Sequence, residues 1–193
     1  MNTTNLNDAK KVNRAKKMML WFGIISLGMS FAGLTSAYVV SKEREDWIQD
    51  LNLPTAFYYS LCVIIISSIT MNFAKKMIQH ERDKLGMYLL LSTFVLGLLF
   101  VWLQFQGFSE IISNGFNFTG PTSKITYTFI FLIAVVHLLH IFAALISLLV
   151  VIYNHYKQEY KNQNTLGVEL ATTFWHFVDF LWIYLFLFFY FVR

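Results

Sequence analysis

A chain of 193 residues in which 56% are hydrophobic, 18% aromatic and only 13% charged, with a mean hydropathy of +0.53, is too apolar for a water-soluble domain. The formal net charge is +4, but the lysines and arginines sit at the ends of apolar runs. That placement argues against nucleic acid as a partner and reads as a membrane topology signal. The lone cysteine, Cys62, rules out an internal disulfide.

Five apolar runs follow one another at about residues 18–40, 54–73, 85–107, 125–152 and 167–192, each near or above the roughly 20 residues that span hydrocarbon as a helix. Backbone polar groups in lipid must be bonded within their own segment. The pattern therefore predicts an all-α integral membrane protein, one transmembrane domain of five helices over residues 18–193, behind a polar, basic tail at residues 1–17. The first run is too long for a signal-peptide core and has no small-x-small cleavage site, so it is read as retained. Ser26, Ser30, Gly33 and Ala37 give that span one small face, expected to touch another helix. Cys62 in the second span is expected to be buried as a small apolar side chain. Gln104 and Gln106 end the third span and are expected to hydrogen-bond at the interface. The stretch from Phe108 to Lys124 reads as the longest loop.

Orientation follows from the distribution of Lys and Arg over the tail and short loops. Lys10, Lys11, Arg14, Lys16, Lys17, Lys75, Lys76, Arg82, Lys84, Lys157 and Lys161 fall on one side, and Lys42, Arg44, Lys124 and Arg193 on the other. The amino terminus is thus expected in the cytoplasm and the carboxy terminus outside.

Ionisable side chains at membrane depth are costly, so they are turned inward and are the first place to look for function. Here they are His137 and His140 in the fourth run, and His176 and Asp179 in the fifth, with Glu169 near that run's start. At about 100° per residue, Glu169, Thr172, Thr173, His176 and Asp179 share one face of roughly 120°. Counting about 1.5 Å per residue inward from the fourth connection puts His140 and Asp179 both roughly 18 Å deep on antiparallel neighbours. A hydrogen-bonded His and Asp pair between the fourth and fifth helices is the expectation. Three readings compete: a structural network locking those helices, a b-type haem or metal site using His137, His140 or His176, and a transporter's proton relay. Two histidines at i and i+3, without a second such pair, are a weak metal signal. The absence of inverted repeats and of broken spans argues against a transporter.

TFIFLIAVVHLLHIFAALISLLVV followed by LGVELATTFWHFVDFLWIYLFLFFY resembles, in order and spacing, the last two helices of the cytochrome c oxidase subunit III family of haem-copper oxidases. WFGIISLGMSFAGLTSAYVV and DKLGMYLLLSTFVLGLLFVWLQ extend the likeness over nearly the whole chain after the tail. The resemblance implies the family's five-helix core without the additional amino-terminal helix pair of longer members, whose cleft holds phospholipids. Leu27 stands where many members carry a buried glutamate, and Gly107 stands at or near the place of a second. It implies further that the chain is no catalytic centre itself and binds no haem or copper, both of which belong to partner subunits. Phospholipids are possible ligands. The implied partners are subunit I by direct packing, subunit II and membrane lipids, in a bacterial cytoplasmic (inner) membrane. His137, His140, Glu169, His176 and Asp179 match the family's motifs and are expected to form a structural network. The implied role is support of subunit I, sustained turnover and proton uptake in aerobic respiration, with cytochrome c as electron donor. A quinol oxidase subunit and a small haem-binding electron carrier are the alternatives.

Overall fold

The computed structural model describes residues 3–44, 47, 53–80, 82–115, 124–160 and 165–192. Five helices account for nearly all of them: α1 (Thr3–Ser41), α2 (Thr55–Gln79), α3 (Asp83–Ser113), α4 (Ile125–Tyr156) and α5 (Leu166–Phe191). All five are long and apolar enough to cross a membrane. The architecture is therefore the all-α, multi-pass one expected, with no strand among the described residues.

Helix ends depart from the apolar runs in two informative places. The basic tail is continuous with the first span, because α1 starts at Thr3 rather than near Met18. Its 39 residues reach about 58 Å, far more than a roughly 30 Å hydrocarbon core requires. α3 likewise continues to Ser113, so the first six residues of the expected loop are helical. It stops where Gly115 adopts φ +84°, a left-handed conformation that suits glycine after a helix end. Pro54 caps α2, while Pro121 lies outside the described residues.

α2, α3, α4 and α5 close a bundle in which each packs on the next and α5 returns to α2. α1 stands outside this ring against α4 and α5 and is the least buried of the five. It packs through Ile24, Phe31, Thr35 and Tyr38, so the small face of Ser26, Ser30, Gly33 and Ala37 is exposed and meets no helix of this chain. That corrects the expected contact. Large side chains, not small ones, bridge α1 to the ring: Phe31 packs edge-on against His140 at 5.6 Å, and Tyr38 sits among Trp47, Phe129, Phe188 and Phe189. Cys62 is exposed rather than buried, because α2 turns Phe57, Ser60, Ile64, Ser67, Met71 and Ala74 to the core and Cys62 to the far side.

Close packing inside the ring needs glycine at two positions on α3. A Cβ on Gly107 would lie 2.5 Å from the buried Phe57 ring, and one on Gly97 would lie 2.8 Å from Trp175. Neither ring has room to retreat. Gly107→Ala and Gly97→Ala are expected to lower stability by about 1–3 kcal/mol despite the better helix propensity of alanine. Gly33→Ala, facing open space, should not lower it. Thermal denaturation of the purified chain in mild detergent checks this contrast.

Candidate functional site

The side-chain hydrogen bonds of Trp175, His176 and Trp182 on α5 run to α2 rather than to α4. Trp182 donates its indole N–H to Ser60 Oγ at 3.1 Å, and Trp175 donates to Ser67 Oγ at 3.0 Å. His176 Nδ1 is hydrogen-bonded to Ser68 Oγ at 2.7 Å. Ser60 in turn donates to the Phe57 carbonyl at 2.8 Å, so its hydroxyl is satisfied twice. Two tryptophans seven residues apart thus meet two serines seven residues apart on an antiparallel neighbour. The seven-residue spacing, two helical turns, on both helices is the sequence signal for this pairing.

The expected five-residue cluster is not one network: only His176 and Asp179 share a polar neighbour, Ser68 of α2. Glu169 accepts an ion pair from Lys17 Nζ at 2.7 Å and a hydrogen bond from Thr165, tying α5 to α1. Both ion-pair partners are partly exposed, which holds the pair's worth to no more than about 1 kcal/mol. His140 donates Nδ1–H to the Val136 carbonyl one turn back, at 2.7 Å. His137 is fully buried, stacked on Trp182 at 5.1 Å with the edges of Phe31 and Phe100 around it. Neither of its ring nitrogens has a hydrogen-bond partner, and neither carboxyl oxygen of Asp179 has one. The direct His and Asp hydrogen bond expected between the fourth and fifth helices is therefore not made. Matching depth was not sufficient, because His140 is spent on its own backbone. The polar side chain beside Asp179 is Ser68 on α2, whose hydroxyl is held by His176.

Other polar groups were misplaced or missed by sequence reasoning. Gln104 is fully buried with its amide unpartnered, not at an interface, because α3 continues nine residues past it. His155 is buried near the other end, donates Nε2–H to the Asp83 carbonyl at 2.9 Å and stacks on Tyr160. Tyr160 is held above its ordinary pKa by burial. Glu110 caps α2 by accepting from Thr55 N at 3.1 Å and Thr55 Oγ at 3.2 Å. No three His, Cys, Asp or Glu side chains among the described residues converge in a way that suits a metal ion.

A helical bundle whose last helix is pinned by indole and imidazole groups is the setting in which the comparisons with known proteins fall. A sequence model for cytochrome c oxidase subunit III matches residues 46–193. The chain belongs to the cytochrome c oxidase subunit III family. Cytochrome bo(3) ubiquinol oxidase subunit 3 of Buchnera aphidicola subsp. Acyrthosiphon pisum is 27% identical over 195 residues, covering 97% of this chain and 92% of that protein. The same subunit of Buchnera aphidicola subsp. Schizaphis graminum is 27% identical over 94% of this chain and 96% of its own length. A probable quinol oxidase subunit 3 of Staphylococcus aureus is 24% identical over 64% of this chain and 60% of its own length. The Buchnera alignments take in α1, which lies wholly outside the family match. As a subunit III of the haem-copper oxidases, the chain is a membrane component of an oxidase complex.

The indole bonds and the buried carboxyl give different mutational consequences. Ser67→Ala leaves a buried indole N–H without an acceptor, and is expected to lower the stability of the chain by about 1–2 kcal/mol. Asp179→Leu removes a buried carboxyl whose polar neighbour, Ser68, is already held by His176, and should leave stability nearly unchanged. Denaturation midpoints of the two variants, measured side by side in one detergent, check the pair of outcomes.

Proposed function

We propose that this chain is the non-redox third subunit of a proton-pumping haem-copper terminal oxidase in a bacterial cytoplasmic membrane. In this reading it packs directly against subunit I, beside subunit II, and sustains turnover and proton uptake there. The observation that supports the non-redox reading is that no three His, Cys, Asp or Glu side chains among the described residues converge, while His137 is enclosed by the rings of Trp182, Phe31 and Phe100. Glu169, His176, His140 and His137 act as packing elements. To Asp179 the geometry gives no bonding role. The amino terminus faces the cytoplasm, which puts Lys10 through Lys17 and the α2–α3 and α4–α5 connections on that side, in accord with the excess of basic residues there.

For the electron donor, the names of the Buchnera and Staphylococcus relatives favour quinol over the cytochrome c that the resemblance first implied. A subunit II without a dinuclear copper site in the purified complex supports the quinol reading, and one with such a site reverses it.

Purification from native membranes in mild detergent, followed by identification of everything that accompanies the chain, tests the assignment. A haem-bearing subunit I is expected to accompany it, and the haem absorption of that complex is expected to survive His137→Leu, His140→Leu and His176→Leu. A haem spectrum from the isolated chain, lost in any of these variants, contradicts the reading and identifies a small haem-binding carrier instead.

A further inference from the structure

α4 ends beside the start of α3, and Asp83, Lys84, Tyr88, His155, Tyr156 and Gln158 line a cavity of about 460 Å³ there, apart from the seam of α2 and α5. His155 sets its chemistry. The ring donates Nε2–H to the Asp83 carbonyl at 2.9 Å, so in the neutral imidazole Nδ1 carries the lone pair. Nδ1 has no partner among the described residues and is not one of the sealed, unpartnered atoms of the core, so it is reachable from outside. Tyr160 stacks on the other side of the ring and fixes its plane. A held hydrogen-bond acceptor thus stands open in the cavity wall.

Gln158 is the second feature. With φ +60° it is the one non-glycine among the described residues in the left-handed region, at the turn that ends α4, where glycine or asparagine is usual. This costly backbone brings an amide side chain to the cavity. Asp83 and Lys84 carry opposite charges, so the cavity has no surplus of either sign. Its tyrosine walls, Tyr88 and Tyr156, are largely exposed. From them two exposed apolar stripes lead toward the middle of the bilayer, Leu91 and Val95 on α3 and Tyr153, Leu149 and Ile146 on α4.

We propose that this cavity binds the headgroup of a lipophilic hydroquinone. One phenolic O–H is donated to His155 Nδ1, the opposite oxygen accepts from the Gln158 amide, and the tail lies between the two apolar stripes. A lone pair on Nδ1 calls for a hydroxyl donor, and a flat aromatic ring suits walls made of tyrosines. A phosphodiester brings acceptors only, and would meet Asp83 with no net positive charge to offset it. The oxidised quinone has carbonyls in place of both hydroxyls and leaves Nδ1 unsatisfied, so the site selects the reduced form. The inference is of binding alone and assigns no electron transfer to this chain. It goes beyond the choice of electron donor, because the cavity is built by α3, α4 and the turn after it, whichever donor feeds the complex.

The test uses the full chain in phosphatidylcholine nanodiscs and compares, by calorimetry without oxygen, the binding of a benzoquinol bearing a single isoprene unit with that of its quinone. The native chain is expected to bind the quinol about tenfold more tightly, the factor one unmade hydrogen bond is worth. His155→Phe keeps a ring against Tyr160 but has no lone pair, and is expected to bind both forms alike. Gln158→Gly suits the left-handed backbone, so it should fold at least as stably as the native chain, and is expected to weaken quinol binding several-fold while keeping the preference. No binding of either form, or equal affinity for both in the native chain, overturns the proposal. So does a preference that survives His155→Phe, an affinity that Gln158→Gly leaves unchanged, or displacement of the quinol by phosphatidylglycerol added to the disc. A subunit II with a dinuclear copper site reverses the donor reading and leaves these results as they stand.

Discussion

The fold turns on how α5 is fixed to α2. In a bilayer the hydrophobic effect gives one apolar helix little reason to prefer another, so packing shape and interhelical hydrogen bonds decide which faces meet. Trp175 and Trp182 answer both requirements together, filling space with a large ring and offering a single N–H that must find an acceptor when buried. Ser67 and Ser60 present that acceptor at the same seven-residue interval. A shift of α5 by one residue along α2 would remove both bonds and leave two buried indoles unpaired. The register is thereby specified more sharply than by apolar contact alone.

Much else is arranged around that seam. Trp182, held by Ser60, presents one ring face to His137 and its edges to Phe57 and Phe100, bringing α2, α3 and α4 around the same side chain. Gly97 and Gly107 keep α3 close enough for this to occur, since each yields its side-chain space to an aromatic ring of a neighbour. α1 is attached differently. It leans on α4 and α5 through Phe31 and Tyr38, with a hydrogen bond between Thr35 and Tyr184 at 3.3 Å and the exposed Lys17 and Glu169 pair. The ring of four helices is thus the more closely packed part, and the first helix is attached to it along one side.

Helix number and approximate spans were legible in the sequence, because a run of about 20 apolar residues between charged punctuation has no other stable form in lipid. Contacts between helices were much less so. Depth arithmetic set His140 level with Asp179 but carries no information about rotation. Rotation committed His140 to the Val136 carbonyl. Small residues on α1 were read as a contact face, whereas in this chain they face outward and Ile24, Phe31 and Tyr38 make the contact. Cys62 and Gln104 exchanged their expected positions, the thiol exposed and the amide buried. In each case hydrophobicity alone misleads, because the outside of a membrane protein is as apolar as its core. The WHFVD element was informative as a family signature before its geometry was known. It placed the family correctly while leaving unseen that its tryptophan and histidine bind serines of α2.

The account holds that polar groups in this bundle serve to join helices and that none of them grips a redox centre. A density map of the assembled oxidase at a resolution that shows side chains tests it most directly. The account predicts the indoles of Trp175 and Trp182 on Ser67 and Ser60, with His137, His140 and His176 free of metal. Iron or copper coordinated by any of these histidines, or α5 packed on α2 in another register, would contradict it.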